Sequence, residues 1–286
     1  MTDERASDAD AATVAGPQAA QRRLSHGVWL TKTAQPIAVS KMQAGPKLPL
    51  GSTRPLALLL HGMTMDRTAM LPLGAELLAD FDILCLDLPC HGESLDIPPD
   101  GDGSPAALAE LILPALAMGM PRLLRDQPVL LVGHSFGGLV AAVLARHFPG
   151  VIGLVLGDTP LAMAKQRAAT AILRLGLDDG EIRRHAAITR DGFGVVPGGN
   201  EERIYYDLPL LQPAPVLLLH AALPFGSKRV DERVPSCIDS MDLAVMAKFG
   251  AGKVTCQALE GTSHILFNEA PEAAATAIRE WLRQQH

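Results

Sequence analysis

Pro128-Val129-Leu130-Leu131-Val132-Gly133-His134-Ser135-Phe136-Gly137-Gly138 is the stretch on which the fold reading turns. Residues 128–132 form a short apolar run with no polar break, as in a strand buried on both faces of a sheet. Gly133 ends the run. Residues 137–148 then read as a helix, closed by Pro149-Gly150. Between strand and helix lies G-x-S-x-G. So sharp a turn crowds the neighbouring Cβ positions and forces a strained backbone on the serine, which is why glycines flank it. The strain lifts Ser135 Oγ clear of the sheet at a helix N-terminus, where the dipole favours developing negative charge.

The same rhythm runs outward in both directions. Apolar strands are predicted at Pro55–Leu60, Phe81–Leu86, Val151–Leu156, Pro215–Leu219 and Lys253–Leu259. Two further short strands are read at Gly27–Ala34 and Pro36–Met42. Helices are predicted at Asp66–Leu78, after the Ser104-Pro105 cap, at Ser236–Phe249 and at Pro271–Arg283. In the last of these, Ala274, Ile278, Trp281 and Leu282 share one face. Buried strands alternating with helices make βαβ units. The fold class is therefore α/β, a mostly parallel doubly wound sheet of about eight strands. The active site of such a sheet is built by loops at the carboxyl ends of its strands. Residues 160–213 break the rhythm, with helical stretches at Ala164–Leu175 and Gly180–Thr189 and a Gly-rich loop at Gly192–Gly199. They read as a small helical cap inserted after the sixth strand.

Composition removes whole classes of function. The chain has 286 residues, 48% of them apolar, and a net charge of -6. That charge leaves no footprint for nucleic acid or an anionic membrane. The four cysteines form no C-x-x-C pair, which argues against a zinc cluster or a disulfide scaffold. No apolar run approaches the roughly 20 residues of a membrane span. Residues 1–24 are polar, acidic and Ala-rich, without the apolar core of a secretory signal, and read as a disordered leader. Residues 25–286 are then one domain, and the expected location is the cytoplasm.

Four motifs, taken in order, resemble the α/β-hydrolase superfamily. They are Leu60-His61-Gly62-Met63, Asp87-Leu88-Pro89-Cys90-His91-Gly92-Glu93-Ser94, the serine turn, and Gly261-Thr262-Ser263-His264. The resemblance runs from about Gly27 to the last helix. It implies that Ser135 is a nucleophile and that His264, on the loop after the last strand, is its base. The family's acid usually follows the strand equivalent to Pro215–Leu219, often as D-x-x-V-P. Here that strand leads into His220-Ala221-Ala222-Leu223-Pro224, which has no carboxylate. The pattern recurs at Asp231-Glu232-Arg233-Val234-Pro235, so Asp231 is the expected acid; Asp158, after the strand Val151–Leu156, and Glu232 are the alternatives. Backbone N–H groups of Phe136 and Met63 are the implied oxyanion hole. Cys90 stands where the family loop usually has Gly, and Ala221 replaces a common Gly after His220.

The implied activity is a serine hydrolase that cleaves a carboxylic ester or thioester through an acyl-enzyme on Ser135. An acyltransferase using the same triad and a non-catalytic ligand-binding scaffold are the alternatives, the displaced acid motif favouring the latter. The implied partner is a small-molecule acyl substrate, with no nucleic acid and no membrane span. No metal or organic cofactor is implied. With few aromatic residues in the chain, the pocket is expected to be aliphatic.

Overall fold

The apolar runs become the inner strands of one sheet. The computed structural model describes residues 22–30, 35–44, 54–166, 178–196, 199–227 and 233–285. Its strands are β1 (Arg22–Leu30), β2 (Pro36–Ala44), β3 (Leu56–Leu60), β4 (Asp82–Leu86), β5 (Val129–His134), β6 (Val151–Gly157), a two-residue hairpin β7 (Val195–Val196) and β8 (Gly199–Asn200), β9 (Val216–Ala221) and β10 (Val254–Leu259). Its helices are α1 (Leu71–Leu77), α2 (Pro105–Gly119), α3 (Phe136–Leu144), α4 (Asp179–Arg184), α5 (Ala186–Asp191), α6 (Asp207–Leu210), α7 (Ser240–Phe249), α8 (Leu266–Glu269) and α9 (Pro271–Arg283).

Eight strands form the main sheet in the order β1-β2-β4-β3-β5-β6-β9-β10. Pairings β1–β2 and β2–β4 are antiparallel. Those from β4 through β10 are parallel. Every residue of β3, β4 and β5 is buried. Side chains alternate along a strand, so one set faces each helical layer. Leu58, Leu84, Leu131, Leu154 and Leu218 pack with Leu108 and Ile112 of α2 and Leu139 of α3. Leu59, Ile83, Leu130, Val155 and Leu217 pack with Leu73 and Leu77 of α1 and Ile278 and Trp281 of α9. The unbroken apolar runs are the direct consequence of this double coverage.

Local signals set the helix ends. Ser104 Oγ accepts a hydrogen bond from Ala107 N–H, and Pro105 opens α2. Asp66 caps the 3₁₀ turn Arg67–Met70 that leads into α1. The β1 strand starts at Arg22, inside the segment expected to be leader. Its backbone pairs with β2 along its whole length, from Arg22 opposite Ala44 to Leu30 opposite Pro36. Such pairing needs no apolar side chain, so hydrophobic patterning placed the boundary too late.

Residues 160–213 hold a 3₁₀ turn (Met163–Gln166), α4, α5, the β7–β8 hairpin and α6. The expected helix Ala164–Leu175 lies partly outside the described residues. The expected helix Gly180–Thr189 is two short helices that meet at His185, the first started by an Asp178–Glu181 capping box. Arginines tie this segment down. Arg184 bonds the Asp96 carboxylate and the carbonyls of Gly92 and Ser94. Arg190 bonds Asp191 and the carbonyls of Pro99 and Gly101. Leu161 and Met163 are buried in the core. Among the described residues no helix is long and apolar enough to cross a membrane.

Trp281 locks α9 to the sheet, for a Cβ added at Gly153 of β6 would lie only 2.7 Å from its ring. Trp281→Ala should therefore lower unfolding free energy by about 3–5 kcal/mol, the range for emptying a large aromatic site. Urea denaturation followed by circular dichroism checks this, and a loss under about 1 kcal/mol would contradict it.

Candidate active site

Ser135 stands between the end of β5 and the start of α3 with φ 50° and ψ -125°. A side-chain-bearing residue rarely adopts this conformation, and it persists only where its surroundings hold it. Here the chain is wedged on both sides. A Cβ on Gly137 would sit 2.2 Å from the His61 carbonyl oxygen, and one on Gly133 would sit 2.4 Å from the Gly137 carbonyl oxygen. Ser135 N–H donates to the Gly157 carbonyl at 2.8 Å, which ties the turn to the end of β6.

His264 reaches the serine from the loop between β10 and α8. Its Nε2 lies 3.0 Å from Ser135 Oγ. On the other side of the ring, Nδ1–H donates to Asp158 Oδ2 at 2.6 Å. Whenever the ring is neutral, Nε2 is therefore the acceptor for the serine hydroxyl. Asp231 and Glu232 lie outside the described residues, and the bonding position at His264 Nδ1 expected for Asp231 is filled by Asp158. The physical reason is sheet geometry. Asp158 directly follows β6, the strand between β5 and β9, so it emerges beside both the serine turn and the end of β9.

Asp158 is fully buried and accepts four hydrogen bonds. Oδ1 takes Ala221 N–H at 3.0 Å and Ser236 Oγ–H at 2.5 Å. Oδ2 takes Cys237 N–H at 2.7 Å besides His264. The described part of the segment after β9 contributes two of these donors, Ser236 and Cys237. Ser236 Oγ in turn accepts from Ile238 N–H at 3.0 Å. Neither role was read from the sequence, since a serine in a loop carries no motif.

Two histidines near the serine hold loops. His134 Nε2–H donates to the His264 carbonyl at 2.7 Å and so braces the histidine loop against the serine turn. Burial, with repulsion from His264, drives its pKa down to about 3, so the ring stays neutral. His61 Nδ1–H donates to the Gly62 carbonyl at 2.8 Å, and its Nε2 accepts Leu88 N–H at 3.0 Å. That joins the loops after β3 and β4. Cys90 has a left-handed backbone, at φ 66°, a conformation that favours glycine. Its buried Sγ accepts Ile97 N–H at 3.2 Å.

Four non-glycine residues have positive φ among the described residues: Thr64, Cys90, Ser135 and Asp158. They follow β3, β4, β5 and β6, and all lie on the carboxyl edge of the sheet. A cavity of about 330 Å³ opens there, in front of Ser135 and His264. Its walls include Met63, Met65, Phe193, Phe225, Val234 and Ile265. Two phenylalanines make it partly aromatic, where an aliphatic pocket was expected. Lys165 also reaches the wall, but Asp239 and Asp242 pair with it at 2.8 Å each. The wall is therefore chiefly apolar.

The sequence pattern of the alpha/beta hydrolase family matches residues 57–277. The chain belongs to the alpha/beta hydrolase family. A curated relative, protein phosphatase methylesterase 1 of Schizosaccharomyces pombe, is 33% identical over 109 residues. That match spans 36% of this chain and about a third of the yeast protein, 32% of its length. Among solved structures, a thermophilic esterase from Thermogutta terrifontis is 22% identical with TM-score 0.63, over 92% of this chain and 99% of its own. A Pyrococcus furiosus esterase is 15% identical with TM-score 0.63, over 92% and 91% of the two chains. These two likenesses are likenesses of fold.

Electrostatics in this alpha/beta hydrolase favour a charged ring at His264. Burial alone would lower its pKa. The adjoining Cys237 and the Asp158 carboxylate reverse that and hold it well above the ordinary histidine value. Asp158 is also buried, which would raise its pKa. The hydrogen bonds from His264, Ser236 and Ala221 outweigh burial and keep it below the usual carboxylate range. A base must be neutral to accept a proton. The acid limb of kcat/KM should therefore have its midpoint above 6.5, the unperturbed histidine value. In Asp158→Asn the imidazolium loses its counter-charge, so the midpoint moves to lower pH while the rate falls about 10⁴-fold. A pH–rate profile of the two proteins measures both effects, and an unchanged limb in Asp158→Asn would contradict the assignment.

Proposed function

We propose that the protein is a serine hydrolase that cleaves a carboxylic ester or thioester through an acyl-enzyme on Ser135. The observation that carries this reading is the continuous chain Ser135 Oγ to His264 Nε2 at 3.0 Å and His264 Nδ1 to Asp158 at 2.6 Å. It opens into an apolar cavity that suits an acyl group.

In this mechanism His264 takes the Ser135 proton as Oγ attacks the carbonyl carbon. Asp158 holds the ring in the tautomer that leaves Nε2 free to accept, and stabilises the imidazolium that forms. The backbone N–H of Phe136, first residue of α3, and that of Met63, on the cavity wall, are the oxyanion donors we assign. His264 then protonates the leaving alcohol or thiol. Water enters by the same route and releases the acid. The partial likeness to a methylesterase supports an ester with a small leaving alcohol as the first substrate class to assay. The Asp158–His264 hydrogen bond weighs against the non-catalytic scaffold that the displaced acid motif favoured.

A fluorophosphonate probe should label the wild-type protein at Ser135 and leave Ser135→Ala unlabelled. On p-nitrophenyl esters of increasing chain length, turnover should fall by at least about 10³-fold in Ser135→Ala. Absence of both labelling and turnover in the wild-type protein would sink the proposal. His134→Phe keeps an aromatic ring, slightly larger, but loses the donor to the His264 carbonyl. It should lower kcat about 10-fold or more with KM little changed, as expected when a base is displaced by a fraction of an ångström.

A further inference from the structure

Cys237 has a thiol that the hydrolytic mechanism does not use. Its Sγ lies 4.0 Å from His264 Nε2, on the wall of the same cavity. Asp158, Cys237 and His264 bring a carboxylate oxygen, a sulfur and a ring nitrogen within 4.8 Å of one another. Ser135 Oγ adds a further oxygen donor, 3.0 Å from the same Nε2.

The arrangement matches what a thiophilic divalent cation needs. Zinc takes sulfur at about 2.3 Å and imidazole nitrogen at about 2.0–2.1 Å, so a tetrahedral site sets S and N about 3.6 Å apart. The observed 4.0 Å closes to that value with a small rotation of the cysteine side chain. A zinc-bound histidine typically donates its other ring N–H to a carboxylate, which orients the ring and raises its basicity. Asp158 already does this at Nδ1, at 2.6 Å. The acid–base pair that serves a serine nucleophile is thus also a preformed half of a zinc site, and Cys237 supplies the soft ligand that selects such a metal.

We propose that Cys237 Sγ and His264 Nε2, with Ser135 Oγ beside them, form an inhibitory binding site for zinc or a similarly thiophilic divalent cation. Asp158 supports the site through Nδ1, and water from the cavity completes the coordination. On binding, the Cys237 thiol and the charged His264 ring, at Nε2, each lose a proton to solvent, and a sulfur–metal and a nitrogen–metal bond form. The metal takes the Nε2 lone pair, so His264 can no longer accept the Ser135 proton. Only this inhibitory consequence rests on the serine-hydrolase reading; metal binding does not.

Cobalt(II) tests binding without any need for catalysis. Titrating the full chain with Co²⁺ should produce a thiolate-to-cobalt charge-transfer band in the near ultraviolet that Zn²⁺ displaces. The band should vanish in Cys237→Ser and Cys237→Ala and persist in Cys256→Ser, whose cysteine lies on the exposed surface. Zn²⁺ should also protect the wild-type serine from the fluorophosphonate probe. Removing the thiol should raise the half-protecting Zn²⁺ concentration at least about 10–100-fold, the loss that removing even a partner of a ligand produces, each variant being compared with its own metal-free labelling. A wild-type protein without the band, or a band that survives in both Cys237 variants, overturns the proposal. A wild-type protein that shows the Cys237-dependent band but never labels upholds the metal site and overturns the serine reading.

Discussion

One buried carboxylate organises the carboxyl edge of the sheet. Asp158 is removed from water, where an isolated charge would be very costly, and is kept ionised by four donors from three parts of the chain. Those donors are the end of β9, a loop hydroxyl, a loop amide and the histidine. Each is fixed in space because the charge needs it. The loop after β9 is in turn pinned to the histidine loop, with Leu223 N–H on the Thr262 carbonyl at 3.0 Å and His264 N–H on the Val234 carbonyl at 2.8 Å. Removing the carboxylate would therefore loosen the strand end, the loop and the base together.

The serine turn is the second organiser, and its demands are steric. Strand β5 must stop, turn and become α3 within one residue, against the backbone of the β3 loop. The glycines yield the space and Ser135 absorbs the distortion. His134 then links this turn to the histidine loop, so Ser135 and His264 share a brace that involves neither Oγ nor Nε2.

Much of this was legible in the sequence where the cause is local. The serine turn is a contiguous pattern whose glycines have a steric reason, and His264 follows the last predicted strand directly. The inner strands show as unbroken apolar runs because both of their faces are covered. The acid was harder. Which strand end faces the histidine is a property of sheet order, and β6 lies beside β9 only after the chain has crossed over. The usable signal was negative: no carboxylate follows β9 within its next nine residues, while Asp158 directly follows an apolar strand. The two-helix break at His185 and the early start of β1 were hidden for a related reason. Backbone pairing and caps, rather than apolar periodicity, set them.

The positive-φ residues after β3, β4, β5 and β6 carry a consequence for evolution. Left-handed backbone costs a residue with a side chain roughly 1–2 kcal/mol, and here the cost recurs at four successive strand ends. Selection for heat resistance would find ready gains at these positions by admitting glycine. At Ser135 and Asp158 the same change deletes the hydroxyl and the carboxylate of the hydrogen-bonded chain. Thr64 and Cys90 are the two positions where relief could come without that loss. A thermostable descendant of this protein would therefore carry its improvements there, or away from the carboxyl edge altogether.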